Sequence, residues 1–140
     1  MARLLVVDDE GPKRERIVRA ASAVGFERDE IVQASTQAEA EELIDSLEPV
    51  IDFAVVDVVL TTLPAKTGLE VIQSLRDRHP HCKIIALTDK GGTEFGVEAM
   101  NAGADDFISL KWEYVNWYSL LQQRLVLWRG FVEGLATTSK

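Results

Sequence analysis

Five short apolar runs alternate with stretches of helical periodicity, and this alternation constrains the fold more than any other feature of the sequence. The runs are rich in valine, isoleucine and leucine and lie at residues 3–7, 30–34, 52–57, 83–88 and 105–110. The first, third and fourth are almost entirely apolar, which is typical of strands buried on both faces. Helical spacing of apolar residues separates them at 13–24, 37–47, 69–78 and 93–102. This order predicts a parallel sheet with helices on both faces.

The connections between the strands reduce the number of possible strand orders. Right-handed crossovers and five β–α units predict a doubly wound, flavodoxin-like three-layer α/β sandwich with strand order 2-1-3-4-5. Functional groups of such sheets gather at the carboxyl ends of the strands, at the switch point between strands 1 and 3. Asp8 and Asp9 end the first run and Asp57 ends the third. Because three crowded carboxylates repel one another, we expect a bound divalent cation, with Mg²⁺ as the natural choice.

Charge and cysteine content exclude several classes of protein. The chain has 140 residues and a net charge of −8, which argues against a nucleic-acid partner and against an anionic membrane surface. The single cysteine, Cys82, cannot form an internal disulfide, and no apolar run approaches the ~20 residues of a membrane span. These features predict a cytoplasmic protein with one domain.

Five motifs together resemble the receiver domain of two-component response regulators. They are "LLVVDDE" at 4–10, "VVD" at 55–57, "LPAKTGLEVI" at 63–72, "IIALT" at 84–88 and "NAGADDFIS" at 101–109. Each motif alone is weak, but all five stand in the order of the family and at about its spacing. The resemblance predicts a receiver domain over 1–125. The spacing of apolar residues predicts a long final helix over 112–135, followed by a tail over 136–140.

The resemblance implies a chemistry for the acidic cluster. Asp57 would accept a phosphoryl group from a histidine kinase or a histidine phosphotransfer protein. Asp9 would bind Mg²⁺ directly and Asp8 through water, with Asp57 and the backbone carbonyl of Val59 as further ligands. The protein would catalyse only its own phosphorylation and dephosphorylation and would not be a true enzyme.

The resemblance also implies a switch. The hydroxyl of Thr88, at the end of strand 4, would move to a phosphoryl oxygen, and the ring of Phe107 would turn inward into the space that Thr88 leaves. This pair would bias two states of a surface formed by helix 4, strand 5 and helix 5. That surface would bind a downstream protein or an output domain.

Three departures from the family fall at the predicted site. The family has a lysine three residues after the aromatic of strand 5, usually followed by proline, whereas this chain has Leu110, then Lys111 and Trp112. A bulge would let Lys111 contact the phosphoryl group, and Lys66 and Lys90 are the alternatives. Asp89 replaces a small residue after Thr88, and the loop before Gly68 is about three residues longer than usual.

Two functional hypotheses follow from these departures. The first is a working receiver that is phosphorylated on Asp57. The second is a degenerate receiver that docks or dimerises without phosphorylation. A phosphatase on a similar sheet would require a second aspartate two residues after its nucleophile. Val59 and Glu10 occupy that position after Asp57 and Asp8, so the sequence argues against this third class.

The predicted final helix carries more apolar surface than one core needs. A heptad-like seam contains Tyr114, Tyr118, Leu121, Leu125, Trp128, Val132 and Leu135, and Phe131 belongs to a second stripe beside it. Excess apolar surface of this kind marks an interface, so a homodimer or a partner-bound helix is predicted. The predicted interface comprises Tyr118, Leu121, Leu125, Trp128, Phe131 and Val132.

Overall fold

A computed structural model of the protein describes residues 3–46, 48, 50–60, 67–89, 93–112 and 116–138. Its strands are β1 (Leu4–Val7), β2 (Ile31–Ala34), β3 (Phe53–Asp57), β4 (Lys83–Thr88) and β5 (Asp106–Ser109). Its helices are α1 (Gly11–Ala23), α2 (Gln37–Asp45), α3 (Thr67–Arg78), α4 (Thr93–Ala102) and α5 (Trp117–Thr138). A single turn of 3₁₀ helix at Arg28–Glu30 precedes β2. These elements agree with the predicted alternation of strand and helix.

All five strands are parallel and stand in the order β2-β1-β3-β4-β5, which confirms the predicted topology. Leu4 lies opposite Phe53 and Val7 lies opposite Val56, so β1 and β3 end almost level with each other. Asp57 is the last residue of β3, and Asp8 follows β1 directly. The register therefore places both aspartates at one edge of the sheet, at the switch point.

Alternate side chains of the strands form two separate apolar layers. Leu5, Val7 and Val56 pack with α2, α3 and α4 on one face of the sheet. Leu4 and Val6 pack with α1 and α5 on the other face. Because every residue of β1 and β3 is buried, burial leaves the edge of the sheet as the place for polar chemistry.

The final helix begins at Trp117 rather than at residue 112. The Oδ1 atom of Asn116 accepts hydrogen bonds from the backbone N–H groups of Tyr118 (3.1 Å) and Ser119 (3.2 Å), so Asn116 caps the helix. The helix packs along α1 and β5. In the described residues, no helix is both long and apolar enough to cross a membrane.

Part of the predicted intermolecular interface is wrong. Leu121 and Leu125 are fully buried in the layer beneath α5, so they belong to the domain core and cannot face a partner. Tyr118, Trp128 and Val132 pack against the same layer and are half-buried. A heptad-like seam has the same spacing whether it faces its own domain or another chain, and here it faces the domain.

A smaller apolar surface remains on the outer side of α5. Val126, Leu127 and Phe131 have exposed fractions of 54%, 52% and 46%. Of the predicted interface residues, Phe131 alone lies on this outer surface. Tyr114 lies outside the described residues. The predicted homodimer therefore depends on this smaller surface.

Candidate functional site

The carboxyl ends of β1 and β3 bring three carboxylates together. One oxygen atom from each of Asp8, Asp9 and Asp57 lies within 4.8 Å of the other two. Asp8 and Asp57 are almost completely buried, with exposed fractions of 0% and 2%. The structure thus brings the acidic residues predicted from the sequence into one small site.

The backbone on both sides holds Asp8 in place. Its N–H group donates to the carbonyl of Ala34 in β2 at 3.1 Å, which extends the sheet by one residue. Its Oδ1 atom accepts from the N–H group of Glu10 at 2.9 Å, which turns the chain into α1. The guanidinium group of Arg14 donates to the carbonyl of Asp8 at 2.9 Å. The side chain is therefore held before any ligand arrives.

Asp57 is held by the turn that follows β3 and by a close contact with α3. The N–H group of Val59 donates to Asp57 Oδ1 at 3.1 Å, and the N–H group of Gly68 donates to the carbonyl of Val58 at 3.0 Å. A Cβ atom on Gly68 would lie only 1.9 Å from the carbonyl oxygen of Asp57. Glycine is therefore required there, because α3 begins in contact with the backbone of the predicted phosphoacceptor.

Among the described residues, the cation at this site is Lys13, which the sequence did not single out. Its Nζ atom lies 3.0 Å from Asp8 Oδ2, 3.1 Å from Asp57 Oδ2, 3.5 Å from Glu10 Oε2 and 3.8 Å from Asp89 Oδ1. Its side chain is 8% exposed. A signal was available in the sequence, because side chains in the first turn of a helix tilt toward its N-terminus. Lys13 follows Pro12 in the first turn of α1, directly after the acidic end of β1.

Burial and the neighbouring charges change the pKa values of Asp57, Asp8 and Lys13. Burial raises the pKa of Asp57 to about 6, which Asp8 reinforces and the ammonium of Lys13 opposes. Burial also raises the pKa of Asp8, against the opposing effects of Lys13 and of the hydrogen bond from Glu10. Burial alone would lower the pKa of Lys13, but Asp57 and Asp8 outweigh it and raise that pKa above its ordinary value. Asp57 is therefore mostly a carboxylate at pH 7, and Lys13 is charged.

The surroundings of the buried carboxylate oxygens indicate whether the site suits a metal ion. Asp9 Oδ1 accepts no hydrogen bond from any described residue. Asp8 Oδ2 lies 3.0 Å from the ammonium of Lys13, which also donates to Asp57 Oδ2 at 3.1 Å. A buried carboxylate oxygen without a donor, such as Asp9 Oδ1, is costly unless a cation completes it. This donor set, three carboxylates at one sheet edge, fits a hard divalent cation.

The predicted switch residues lie on the next two strands. Thr88 is fully buried at the end of β4, opposite Ser109 of β5. The half-buried ring of Phe107 packs edge-to-face on the indole of Trp112, with ring centres 5.9 Å apart. A Cβ atom on Gly96 of α4 would lie 2.9 Å from the ring of Phe107. The ring therefore sits between α4 and the indole of Trp112.

The predicted phosphoryl-contacting lysine lies apart from the carboxylates. The side chain of Lys111 is exposed, and its backbone N–H group donates to Ser109 Oγ at 3.2 Å. No ion pair between described residues includes it, whereas Lys13 pairs with Asp57. Lys66 and Lys90, the alternatives, lie outside the described residues. The contact of Lys111 with a phosphoryl group stays a prediction.

Asp89 and Leu110, two further departures from the family, both lie beside Lys13. Asp89, which follows Thr88, turns toward the site, with Oδ1 3.8 Å from Lys13 Nζ. Leu110, in the position of the family's lysine, donates its N–H group to the carbonyl of Thr88 at 2.9 Å. Leu110, Asp89 and Lys13 line one cavity of about 430 Å³ together with Glu10 and Trp117. The position that lacks a lysine therefore shares a cavity with Lys13.

Comparison with known families confirms the resemblance to receiver domains. Residues 4–115 match the family model described as response regulator receiver domain, which covers most of the chain. The chain belongs to the response regulator receiver domains of two-component systems. Receiver domains are not classical enzymes.

Two of the similar proteins are named as regulators. The chain is 36% identical over 106 residues to the photosynthetic apparatus regulatory protein RegA of Rhodovulum sulfidophilum, which covers 76% of this chain and 54% of RegA. It is 32% identical over 131 residues to the two-component response regulator PhoP of Pseudomonas aeruginosa, which covers 94% of this chain and 55% of PhoP. The chain thus spans about half the length of these relatives.

Solved structures share the fold. A CheY-like receiver domain from Methanospirillum hungatei JF-1 has a TM-score of 0.73 and 25% identity, over 96% of this chain and 98% of the other. A response regulator from Burkholderia pseudomallei has a TM-score of 0.69 and 26% identity, over 86% of this chain and 65% of the other. The Burkholderia structure contains a phosphorylated aspartic acid and a calcium ion.

Proposed function

We propose that Asp57 accepts a phosphoryl group from a histidine kinase or a histidine phosphotransfer protein. The observation that carries this proposal is the cluster of Asp8, Asp9 and Asp57 at the ends of two adjacent strands. An oxygen of Asp57 forms a bond with phosphorus while the bond between phosphorus and the donor's imidazole nitrogen breaks. The product is an aspartyl phosphate, and the freed imidazole stays on the donor. A pKa of about 6 supports this role, because the attacking group is mostly ionised at pH 7.

The cation we propose for this site is Mg²⁺. Asp9 and Asp57 would bind it directly, Asp8 through water, and the backbone carbonyl of Val59 would complete the protein ligands. When bound, Mg²⁺ would neutralise charge on the transferring group. The hydrogen bond from the N–H group of Val59 to Asp57 supports this arrangement, because it keeps the Val59 backbone beside the acceptor.

The proposed output is a change in the surface formed by α4, β5 and α5. Thr88 would turn to the phosphoryl group, and Phe107 would follow it inward. An apolar cavity of about 490 Å³ adjoins Phe107 and Trp112, and Val97 and Met100 on its rim are 55% and 47% exposed. Apolar surface of this kind suits a protein partner. The partner would be a separate protein or an output domain, and the proposed location is the cytoplasm.

Intact mass after phosphorylation tests this function. The protein would be incubated with acetyl phosphate and Mg²⁺, with Asp57→Asn and Asp45→Asn treated in parallel. Asp45 is the matched control, because it is half exposed and pairs only with Arg78 among the described residues. We expect one added phosphoryl group on the unmodified protein and on Asp45→Asn, and none on Asp57→Asn.

No addition to any variant, with acetyl phosphate or with a phosphorylated histidine protein, would contradict the proposal. That result would favour the phosphorylation-independent docking module. Equal addition to Asp57→Asn would move the acceptor to another residue.

A homodimer through the outer side of α5 is a separate part of the proposal. Phe131→Glu places a charge on the exposed surface and is expected to shift the protein from dimer to monomer in light scattering. Trp128→Glu is a poorer test, because Trp128 is half-buried against the domain core and its loss would also destabilise the fold. A monomer for the unmodified protein at micromolar concentration would contradict the dimer.

A further inference from the structure

Five carboxylates converge at the carboxyl edge of the sheet. Asp8, Asp9 and Asp57 form the cluster, and Glu10 and Asp89 approach it from its rim. In the described part of the chain, no lysine or arginine other than Lys13 lies within ion-pair distance of these carboxylates. Arg16, its neighbour on α1, is stacked on Trp117 instead, with Cζ 4.7 Å from the ring centre. Among the described residues, one ammonium therefore faces five carboxylates.

Lys13 occupies the space between two residues of the proposed metal site, one of which, Asp57, would bind the ion directly. Its Nζ atom is 3.0 Å from Asp8 Oδ2 and 3.1 Å from Asp57 Oδ2, and both are oxygens of the cluster. A metal ion placed between these carboxylates would be repelled by the ammonium. The repulsion would be strong, because the site is buried and its effective dielectric constant is low. The two positive groups cannot share this position, so binding of one requires movement of the other.

The geometry also gives the displaced side chain somewhere to go. The cavity of about 430 Å³ lined by Lys13, Glu10 and Asp89 adjoins the cluster. Glu10 Oε2 and Asp89 Oδ1 already lie 3.5 Å and 3.8 Å from Nζ, so a rotation toward the rim keeps the ammonium beside carboxylates. Asp89 Oδ1 is buried and accepts no hydrogen bond from a described residue, which leaves it ready to receive one.

We propose that Lys13 is an internal counter-ion that exchanges with the divalent cation. Without metal, the ammonium neutralises Asp8 and Asp57 and holds the site together. When the cation binds, Lys13 leaves the cluster for Glu10 and Asp89. The exchange makes metal binding weaker than three carboxylates alone would give, because each bound ion must displace an ion pair that is already formed. This inference rests on the proposed metal site but does not depend on phosphorylation.

Magnesium affinity tests the exchange without any measurement of activity. Mg²⁺ would be titrated into ¹⁵N-labelled protein, and the amide resonance of Val59, which donates to Asp57, would report binding. We expect Lys13→Met to bind Mg²⁺ about tenfold more tightly than the unmodified protein, because no ammonium has to be displaced. Arg19→Met is the matched control, since it removes one charge from an exposed position of the same helix, and its affinity should be unchanged.

A charge-conserving variant separates displacement from loss of structure. Lys13→Arg retains the positive charge and should bind Mg²⁺ no more tightly than the unmodified protein. Lys13→Gln, which is polar and uncharged, should gain affinity as Lys13→Met does. If both neutral variants bind Mg²⁺ as the unmodified protein does, or more weakly, Lys13 does not compete with the ion and the proposal is overturned.

The failures of the two proposals are distinguishable. If no variant binds Mg²⁺ at millimolar concentration, both the proposed metal site and the exchange are wrong. If all variants bind it equally, the metal site stands and the exchange alone is wrong. A crystal structure with Mg²⁺ at the cluster and Lys13 still within 3.1 Å of Asp57 Oδ2 would also overturn the exchange.

Discussion

The ends of β1 and β3 and the end of β5 lie at the same edge of one sheet, yet they relate differently to the receiver family. At β1 and β3, the three aspartates of the family are present and converge within 4.8 Å. At β5, the expected lysine and proline are replaced by Leu110 and Lys111, and the side chain of Lys111 is exposed. The acidic half of the site is therefore conventional, and the basic half is rearranged.

This difference shows which parts of the site the fold itself specifies. The aspartates are positioned by strand register and backbone hydrogen bonds, so their geometry follows from the topology. A positively charged side chain has only to place its end group beside the carboxylates. Because lysine and arginine side chains are long, they can do so from more than one helix or strand. In this chain it reaches them from α1, through Lys13.

Gly68→Ala is expected to have the largest effect on the acidic half. The new Cβ atom would lie 1.9 Å from the carbonyl oxygen of Asp57, so α3 or the end of β3 must move. We expect a loss of about 4 kcal/mol in the free energy of unfolding, measured by urea denaturation.

Gly130→Ala is the matched control, since a Cβ atom there meets nothing within 4 Å. It should stabilise the exposed turn of α5 by up to about 1 kcal/mol. Similar stability changes for the two variants would contradict the close contact between α3 and Asp57.

The two lysines give the most direct contrast between the halves. In metal-free buffer, Lys13→Met should lower the free energy of unfolding by about 3 kcal/mol, because buried carboxylates lose their counter-ion. Lys111→Met should leave stability unchanged, because that side chain is exposed and forms no ion pair with a described residue. Thermal or urea unfolding in chelator measures both, and the reverse order of effects would place the stabilising cation on β5.

Asp57→Asn is expected to stabilise the metal-free protein. The pKa of Asp57 is raised to about 6 from an ordinary value of 3.8, so the folded state binds its proton more tightly than the unfolded state. The contribution of this group is therefore favourable at low pH and is lost as the pH rises through 6. The asparagine variant should nearly match the unmodified protein at pH 4 and exceed it by about 3 kcal/mol above pH 7.

Urea unfolding at several pH values in chelator measures this difference. A difference that shrinks as the pH rises from 4 to 7 would contradict the raised pKa. Asp45→Asn, at an exposed position, supplies the baseline for loss of an aspartate outside the site.

Gly96→Ala tests the switch side of the edge and should have the smallest effect. Its Cβ atom would lie 2.9 Å from the ring of Phe107, which must turn away if it has a second position. We expect a stability change within about 1 kcal/mol and altered fluorescence of Trp112, on which the ring packs. In a Phe107→Leu background the substitution should change the fluorescence little. A large loss of stability with unchanged fluorescence would mean that the ring is locked.

Much of the fold could be predicted from the sequence because its signals are local and repeated. Buried parallel strands read as continuous apolar runs, and the residues at their ends are then adjacent in space by topology alone. The sequence alone therefore groups Asp8, Asp9 and Asp57. The start of α5 was harder, since it depends on the cap that Asn116 provides.

Other features depend on side-chain direction, which spacing does not determine. The seam that contains Leu121 and Leu125 was assigned to an intermolecular interface, but α5 turns it into the core. The sequence does not single out Lys13, because the family has its lysine at the end of β5 and this one lies on a helix. For the α5 seam and for Lys13, the sequence shows the residue types. Their contacts depend on how each helix is oriented on the sheet, which the spacing of residues does not determine.

The residue that carries the phosphoryl group is the most direct test of the central claim, that Asp57 is the acceptor at this edge. The protein would be treated with acetyl phosphate and Mg²⁺ and reduced with borohydride, which converts an aspartyl phosphate to homoserine. Peptide mass spectrometry would then locate the modified residue. The account predicts homoserine at position 57 alone. Homoserine at position 8, 9 or 89, or at none of them although a phosphoryl group was added, would contradict it.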